Sequence, residues 1–520
     1  MDCTAVAPDF EPPRRGEIPL GPAPAPHRAP DVPEPDRPAF EPPIVIPIDL
    51  PADRLAMRVG EMPGAALLEG GPGFGDAGRW SILAARPAGM FDVPFLTMDR
   101  WRFAYRGMDE ERQAIFPERW EFGRGDPLVG LDRLVDRLGL GRPVEEGPGG
   151  GDRPPFLGGL IGYLGYDLAR WIERVPRKAP KEDAVPDLAF GLYDTFVAVD
   201  HRSGEAKLWV TNVLGESADR VDYRVRSWLE ALRRPPRSLP RSGFEAPPTS
   251  NFSPEGYRGA VRRAVDYIHA GDIFQANISQ RFTAIGRPEP LDLYRRLRHR
   301  SPSPYSAYLR FGEGRAVVSS SPELFYRTRG DHIITRPIKG TRPRGATPEE
   351  DRAMRAELVD SPKDRAELAM IVDLERNDLG RVCAFGSVRV TEPSVIESFE
   401  TVHHQVATIE GRLRPGVGPI EVVRAVFPGG SITGAPKIRA MEIIDELEPS
   451  RRGVYTGAIG YFGAGGNAAF NIAIRTMVVE GPRVRYQVGG GIVADSDPQL
   501  EFEETMHKGR AMRDVLEGRA

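Results

Sequence analysis

The chain holds only two cysteines, Cys3 and Cys383, almost a whole sequence apart. Neither a disulfide framework nor a cysteine zinc site can be built from such a pair. No run of 18 or more apolar residues occurs, and the N-terminus lacks the basic-then-apolar order of a secretion signal. The expectation is a cytoplasmic protein that does not engage a membrane. A basic excess is also missing. The net charge of −4 leaves no surplus of cations to displace counterions from nucleic acid, so no nucleic-acid partner is expected. Lysine is scarcer than the charge total suggests. Of 70 basic residues only seven are lysines, namely Lys178, Lys181, Lys207, Lys339, Lys363, Lys437 and Lys508. Lys339 sits in "TRPIKGTRPRG", among arginines, where arginine would have kept the charge. A primary amine can lose its proton and act as a base or nucleophile, which a guanidinium cannot.

What is present is ordinary for a soluble globular protein: 40% hydrophobic and 28% charged residues over 520 positions, too many for one simple core. The first 50 residues carry 14 prolines, so 1–45 is expected to be a disordered tail. A first domain is expected over 46–232, with strand-like "AALLEG", "RWSILAARP", "FLTM" and "LAFGLYDTFVAVD" and a loop at 141–155. The Pro- and Ser-rich stretch 233–252 reads as an interdomain linker. A second domain, 253–520, opens with a helix capped by Ser253 with Pro254 at its first position. In it "AVVSSSPELFYR" and "HIITRPI" read as strands, 362–378 as a helix, "MVVEGPRVRYQVGGGIV" as a hairpin and 498–517 as a closing helix. The arginine run 295–300, "RRLRHR", reads as a solvated helix face.

Four features of the second domain can carry chemistry. Asp364 and Glu367 are three residues apart on one predicted helix, and Glu501 and Glu504 are three apart on another, so each pair shares a face. Two such pairs would suit an all-oxygen Mg²⁺ site, although each alone is the pattern of a solvated face. "PGGSITGAPK" (428–437) precedes a helix whose N-terminal N–H groups favour an anion, and Gly489, Gly490 and Gly491 end a strand where a carboxylate can approach the backbone. Neither matches a phosphate loop, so a small acidic ligand fits better than a nucleotide. His403 and His404 are adjacent, so on a strand only one can face a site. Lys339, desolvated or beside Arg336 or Arg342, would have a lowered pKa.

Nine blocks, among them "DIFQANISQRF", "SSSPELF", "PIKGTRPRG", "AELAMIVDLERNDLGRV", "SVIESFETVHHQVATIEG", "PGGSITGAPKIRAMEIIDELE" and "GGGIVADSDPQLEFEET", run in order through 253–517. Together they resemble the chorismate-utilising enzymes. "LLEGGP" and "PFLGGLIGYLGYDLARW" extend the resemblance, more loosely, into the first domain. The resemblance implies an α+β fold of the anthranilate-synthase type, with β-sheets packed in a sandwich and flanked by helices. It implies Mg²⁺ held by Glu367 and Glu504 with Glu501 adjacent, and chorismate contacts from Thr433, Tyr455, Arg475, Gly489, Gly490, Gly491 and Lys508. Glu323 matches the general acid that protonates the departing C4 hydroxyl, and His404, not His403, matches the active-site histidine.

Two positions point to one branch of the family. Isochorismate and salicylate synthases carry a water-activating lysine at the position of Gln275, and glutamine cannot serve as that base. Anthranilate synthases carry alanine at position 339, whereas the aminating branch, the aminodeoxychorismate synthases, carries lysine; Asn277 leans the same way. The resemblance therefore implies amination of chorismate at C4, toward p-aminobenzoate and folate, with an anthranilate synthase large subunit, in which Lys339 is incidental, or a catalytically inactive partner-binding scaffold as the alternatives. Ammonia would come from a separate glutamine amidotransferase subunit, because Cys383 in "RVCAFG" lacks the setting of a glutaminase nucleophile and Cys3 lies in the tail. Relatives that bind tryptophan carry serine after "LLE"; Gly70 takes that place here, so inhibition by tryptophan is not expected.

Overall fold

The computed structural model describes residues 43–93, 100–108, 115–141, 153–176, 178–182, 185–235, 237–312, 314–400 and 402–519. Residues 1–42 of the expected tail, the strand "FLTM" and most of the 141–155 loop lie outside them, while Ile44 and Val45, assigned to the tail, open the strand Ile44–Pro47 paired with Glu205–Val210. Among the described residues, strands assemble into two large sheets in which every pairing is antiparallel.

Both sheets run through both halves of the sequence. In the first, Ala66–Glu69 pairs with Tyr305–Arg310, and the order continues through Arg315–Ser321, Thr476–Glu480 and Arg483–Ile492 to Gln275–Arg287. In the second, Gly159–Leu164 pairs with Ala458–Gly463, and the path continues through Ala468–Ile472, Leu324–Arg329 and His332–Arg336 to Val402–Arg412 and Ile338–Pro343. Residues 40–520 accordingly form one compact unit. The stretch 233–252 does not behave as a free linker. Gly243–Phe244 and Thr249–Ser250 add to the Gln275–Arg287 strand, because their backbone groups find a ladder edge there.

Three apolar layers follow from the alternation of the strands. Ala66, Ile82, Ile161, Tyr163, Leu309, Val317, Ile459 and Tyr461 meet between the sheets. Outside the first sheet, Leu55, Val59, Trp228, Leu291, Leu297 and Val515 come from covering helices, and outside the second Leu131, Val135, Leu368, Leu379 and Ile420 do the same. The result is the sandwich flanked by helices that the family resemblance implied.

Three sequence expectations change in a way that matters for chemistry. "AVVSSSPELFYR" is not one strand. Arg315–Ser321 belongs to the first sheet and Leu324–Arg329 to the second, and the chain crosses at Pro322, which has no N–H to give a ladder. Glu323 thereby sits at the crossover. "HIITRPI" likewise divides at Pro337 into His332–Arg336 and the strand that carries Lys339, Ile338–Pro343. The closing helix breaks at Gly509 into Pro498–Lys508 and Arg510–Leu516. The helix expected over 362–378 extends over Pro362–Gly380, and Ser253 caps Pro254–His269 by accepting the Gly256 N–H at 3.0 Å. In the 295–300 run, Arg296 is buried beside Asp292 instead of facing solvent.

Candidate active site

Lys339 is the centre of the site, and its neighbours arrive from four elements. Its Nζ comes within 3.3 Å of where a side chain on Gly491 would begin, and the Gln275 amide nitrogen fills that space at 2.0 Å. Glycine at 491 is thus required for Lys339 and Gln275 to share the cleft. Gly340 has φ +79, a left-handed conformation in which a side chain would strike Leu358 at 2.7 Å, so the chain can turn directly after the lysine. Burial pulls the Lys339 amine below its ordinary pKa. Glu367 opposes this most, Lys508 adds to it, and Glu323 and Glu504 oppose it further.

Glu323 is 5% exposed. Burial raises its carboxyl pKa; the Ser431 hydroxyl, donating at 2.7 Å, Lys339 and the Ile338 N–H pull the other way. A buried carboxyl with a raised pKa is the state a general acid needs. Ser431 was not singled out from the sequence, where it reads as part of a Gly-rich turn. Lys363 was also missed. It stands four residues before Glu367 on the same helix, which puts both on one face, and its charge acts on Glu367, Glu501 and Glu504. Three of the seven lysines thus gather around these carboxylates, and lysine scarcity was the signal that could have found Lys363.

The glycine run forms part of the Arg483–Ile492 strand, with Gly489, Gly490 and Gly491 opposite Ser279, Ile278 and Asn277. The side-chain space they leave is taken by Asn277 Oδ1, 2.7 Å from a Cβ at Gly489, and Glu501 Oε2, 2.8 Å from one at Gly490. Lys508 donates to the Gly489 carbonyl at 3.1 Å and pairs with Glu504 at 2.5 Å. Burial works to raise the Glu504 carboxyl, but Lys508, Lys339 and Lys363 outweigh it and hold the group below its usual range. Glu501 is raised by burial; its Oε1 accepts from Ser496 at 2.7 Å, while its Oε2 is buried with no hydrogen-bond partner. Among the described residues no three His, Cys, Asp or Glu side chains converge into a ready metal cluster. Asp364 is turned away to Arg342 at 3.1 Å. The donor set still fits a hard divalent cation. Mg²⁺ needs only one or two protein carboxylates, and an orphaned carboxylate oxygen at Glu501 is the kind of atom it would satisfy.

The adjacent histidines divide as a strand requires. His403 Nδ1 meets Ser398 Oγ at 2.7 Å and its Nε2 meets Asp351 at 3.0 Å, on the side of the helix Pro348–Asp360. His404 faces the other way, its Nδ1 2.9 Å from the hydroxyl of Thr341, two residues after Lys339. Burial, with Arg475 and His403 adding, pushes His404 down to about 3, so it is neutral at physiological pH. Arg475 has φ +49, uncommon for a residue with a side chain, and no carboxylate among the described residues pairs with it. Burial lowers its pKa from the ordinary value. A guanidinium enclosed without an anion is a site for a ligand carboxylate. Thr433 is fully buried with its hydroxyl donating to the Gly429 carbonyl at 2.9 Å, and its own carbonyl accepts the Asn277 N–H at 2.8 Å. Tyr455 is buried against Arg452, whose guanidinium lies 5.8 Å from its ring centre.

Cys383 packs in the core, 3% exposed, and burial raises its thiol to about 11, so it presents no thiolate. Serine could not replace Gly70, since a Cβ there would lie 2.2 Å from the Gly78 carbonyl oxygen. A cavity of about 380 Å³ lies beside it, lined by Glu69, Tyr305 and Asn471 among others. No described helix is long and apolar enough to cross a membrane.

Residues 108–514 match the family model described as chorismate binding enzyme. The chain is 40% identical over 466 residues to anthranilate synthase component 1 of Pseudomonas putida, covering 88% of this chain and 90% of the relative. It is 46% identical over 356 residues to aminodeoxychorismate synthase component 1 of Klebsiella aerogenes, covering 68% of this chain and 76% of the relative. Among solved structures, anthranilate synthase component I from Streptococcus pneumoniae TIGR4 superimposes with a TM-score of 0.70 at 32% identity, covering 84% of this chain and 92% of the other. With its two-sheet fold and a family match across most of its length, the chain belongs to the chorismate-binding enzymes.

Proposed function

We propose that the protein aminates chorismate at C4, giving 4-amino-4-deoxychorismate, with ammonia delivered by a separate glutamine amidotransferase subunit. The observation that carries this reading is Lys339, a primary amine enclosed in the cleft, lowered in pKa by burial and flanked by Glu323 and Glu367. A relative named aminodeoxychorismate synthase component 1 at 46% identity supports it.

The chain's own groups account for the reaction as follows. Chorismate is a dianion, and Arg475 and Lys508 supply charge to its carboxylates, with the amides around Gly489–Gly491 able to approach closely. Neutral Lys339 Nζ forms a bond to C2, the two conjugated ring double bonds each shift one bond toward C4, and the C4–O bond breaks. Glu323 gives its proton to the departing hydroxyl, which leaves as water. Ammonia then bonds to C4, both double bonds shift back, and the C2–Nζ bond breaks, releasing the lysine. A proton from the incoming nitrogen restores Glu323. The enolpyruvyl group stays in place, and one difficult displacement becomes two easier ones. Gln275 offers no base to activate water in competition. Neutral His404, held through Thr341, provides an uncharged hydrogen-bonding wall. Mg²⁺, held by Glu501 or Glu504 with Glu367, would neutralise one substrate carboxylate so that a dianion enters an acidic pocket.

The test is mass spectrometry of the product from purified protein, chorismate, Mg²⁺ and ammonium. A product that keeps the enolpyruvyl group is expected. Anthranilate with released pyruvate would replace this reading with a second one, anthranilate synthesis, which is favoured by the relative of that name that covers 88% of the chain.

A further inference from the structure

Glu375 takes no part in the chemistry above, yet it is a buried carboxyl, 7% exposed, two turns beyond Glu367 on the helix Pro362–Gly380. No cation pairs with it among the described residues. Lys437, which faces it, is committed to Asp378 at 2.5 Å. Its partner is the hydroxyl of Thr335. Thr335 Oγ1 lies 2.7 Å from the Phe325 carbonyl oxygen and also in close hydrogen-bond contact with Glu375 Oε2. A hydroxyl carries one hydrogen, and a carbonyl carries none. One hydroxyl hydrogen cannot fill both contacts, and of the two partners only Glu375, as a carboxylic acid, could supply a second.

We propose that Glu375 is a positioning residue that works as a neutral carboxylic acid, donating to Thr335 and so tying together the three segments that carry Glu323, Lys339 and Glu367. Phe325 lies two residues after Glu323, Thr335 four residues before Lys339, and Glu375 on the helix of Glu367. An ionised Glu375 would be an unpaired buried charge and would leave one hydroxyl hydrogen between two acceptors. The surroundings agree. Burial pushes Glu375 up to about 8; Thr335 and Lys437 oppose this, while Glu323 and Asp378 add to it. Glu323 has Ser431, the Ile338 N–H, Lys339 and Lys508 to favour its anion, so of the two facing carboxyls Glu375 is the one that keeps its proton first. The positioning role rests on the reading of Glu323 and Lys339 given above; the protonation state does not.

Infrared difference spectroscopy on the full chain at pH 7 tests the proton directly. The wild type should show the carbonyl stretch of a protonated carboxylic acid that fades as pH rises through about 8. Glu375→Gln should lose one band of this kind that Glu323→Gln keeps, leaving the band of the Glu323 general acid in place. A wild type without such bands, or a Glu375→Gln protein whose protonated-carboxyl bands match those of the wild type, overturns the inference. The positioning role is read from chorismate consumption, whatever the product. Glu375→Gln can still donate and should keep most of its turnover, whereas Glu375→Leu fills the space without a donor and should lose about tenfold. Folded Glu375→Gln as slow as Glu375→Leu, or Glu375→Leu as fast as wild type, contradicts it. If C4 amination were the mistaken part, the product would differ while both readouts stayed interpretable.

Discussion

Lys339 is held where its charge is costly, and its reactivity follows from that. Below its lowered pKa the amine is protonated and cannot attack; above it the nucleophile is present, so turnover should rise with pH through this ionisation. Glu323 has the opposite requirement and must keep its proton, so turnover should fall once that carboxyl ionises. Steady-state rates across pH should therefore be bell-shaped, and Glu323→Gln should cost about 100-fold or more at the optimum. Lys339→Arg keeps the charge and should be as inactive as Lys339→Ala, both with wild-type thermal unfolding, because the role is chemical and not structural. His404 sets a different sign. Its folded pKa of about 3 lies below the unfolded value near 6.5, so its contribution to stability is complete above pH 6.5 and declines as pH falls toward 3. An NMR titration should show no protonation of its ring above pH 6. At this scale the sequence was informative for Lys339 through the scarcity of lysine, and for Glu323 and His404 through the family resemblance of the blocks that hold them. It was uninformative for Ser431 and Glu375, and for Lys363 it offered only the scarcity of lysine. Each of these reads as a turn or a helix-face residue until tertiary packing brings it against a partner.

Elements matter here through where they stop. Two prolines, Pro322 and Pro337, end strands beside Glu323 and Lys339, and a periodicity argument that passes over them merges four strands into two. The crossover between sheets is invisible to local pattern, because both strands alternate correctly on either side of it. The three glycines are a similar case. The sequence marks them as permissive backbone, and the structure shows their missing side chains replaced by Gln275, Asn277, Glu501 and Lys339. Gly491→Ala would put a methyl 2.0 Å from the Gln275 amide nitrogen. Chorismate turnover should collapse in that variant, and a crystal structure or heteronuclear NMR spectrum should locate the change at Gln275 and Lys339. Gly73→Ala, with open space around it, is the matched control and should turn over normally.

For the whole molecule, composition suggested two domains joined by a proline-rich linker, and pairing between distant strands overrides that boundary. Ala66–Glu69 needs Tyr305–Arg310, and Gly159–Leu164 needs Ala458–Gly463, so neither half can complete a sheet alone. Separately expressed fragments divided within 233–252 should each lack cooperative unfolding by calorimetry, and should recover it only when mixed or coexpressed. The fold class was legible through the family resemblance of the nine blocks, which carried the two-sheet sandwich with them. The sharing of both sheets was not, because register between segments some 240 to 300 residues apart leaves no local trace.

The central claim is that Lys339 bonds to the substrate. Incubating the protein with chorismate and Mg²⁺ while withholding ammonia, then quenching and mapping peptides by mass spectrometry, tests it most directly. The account predicts a mass increase of chorismate less water on the peptide that contains Lys339, discharged when ammonium is added. An unmodified Lys339 in protein that turns over as soon as ammonium is supplied would contradict it.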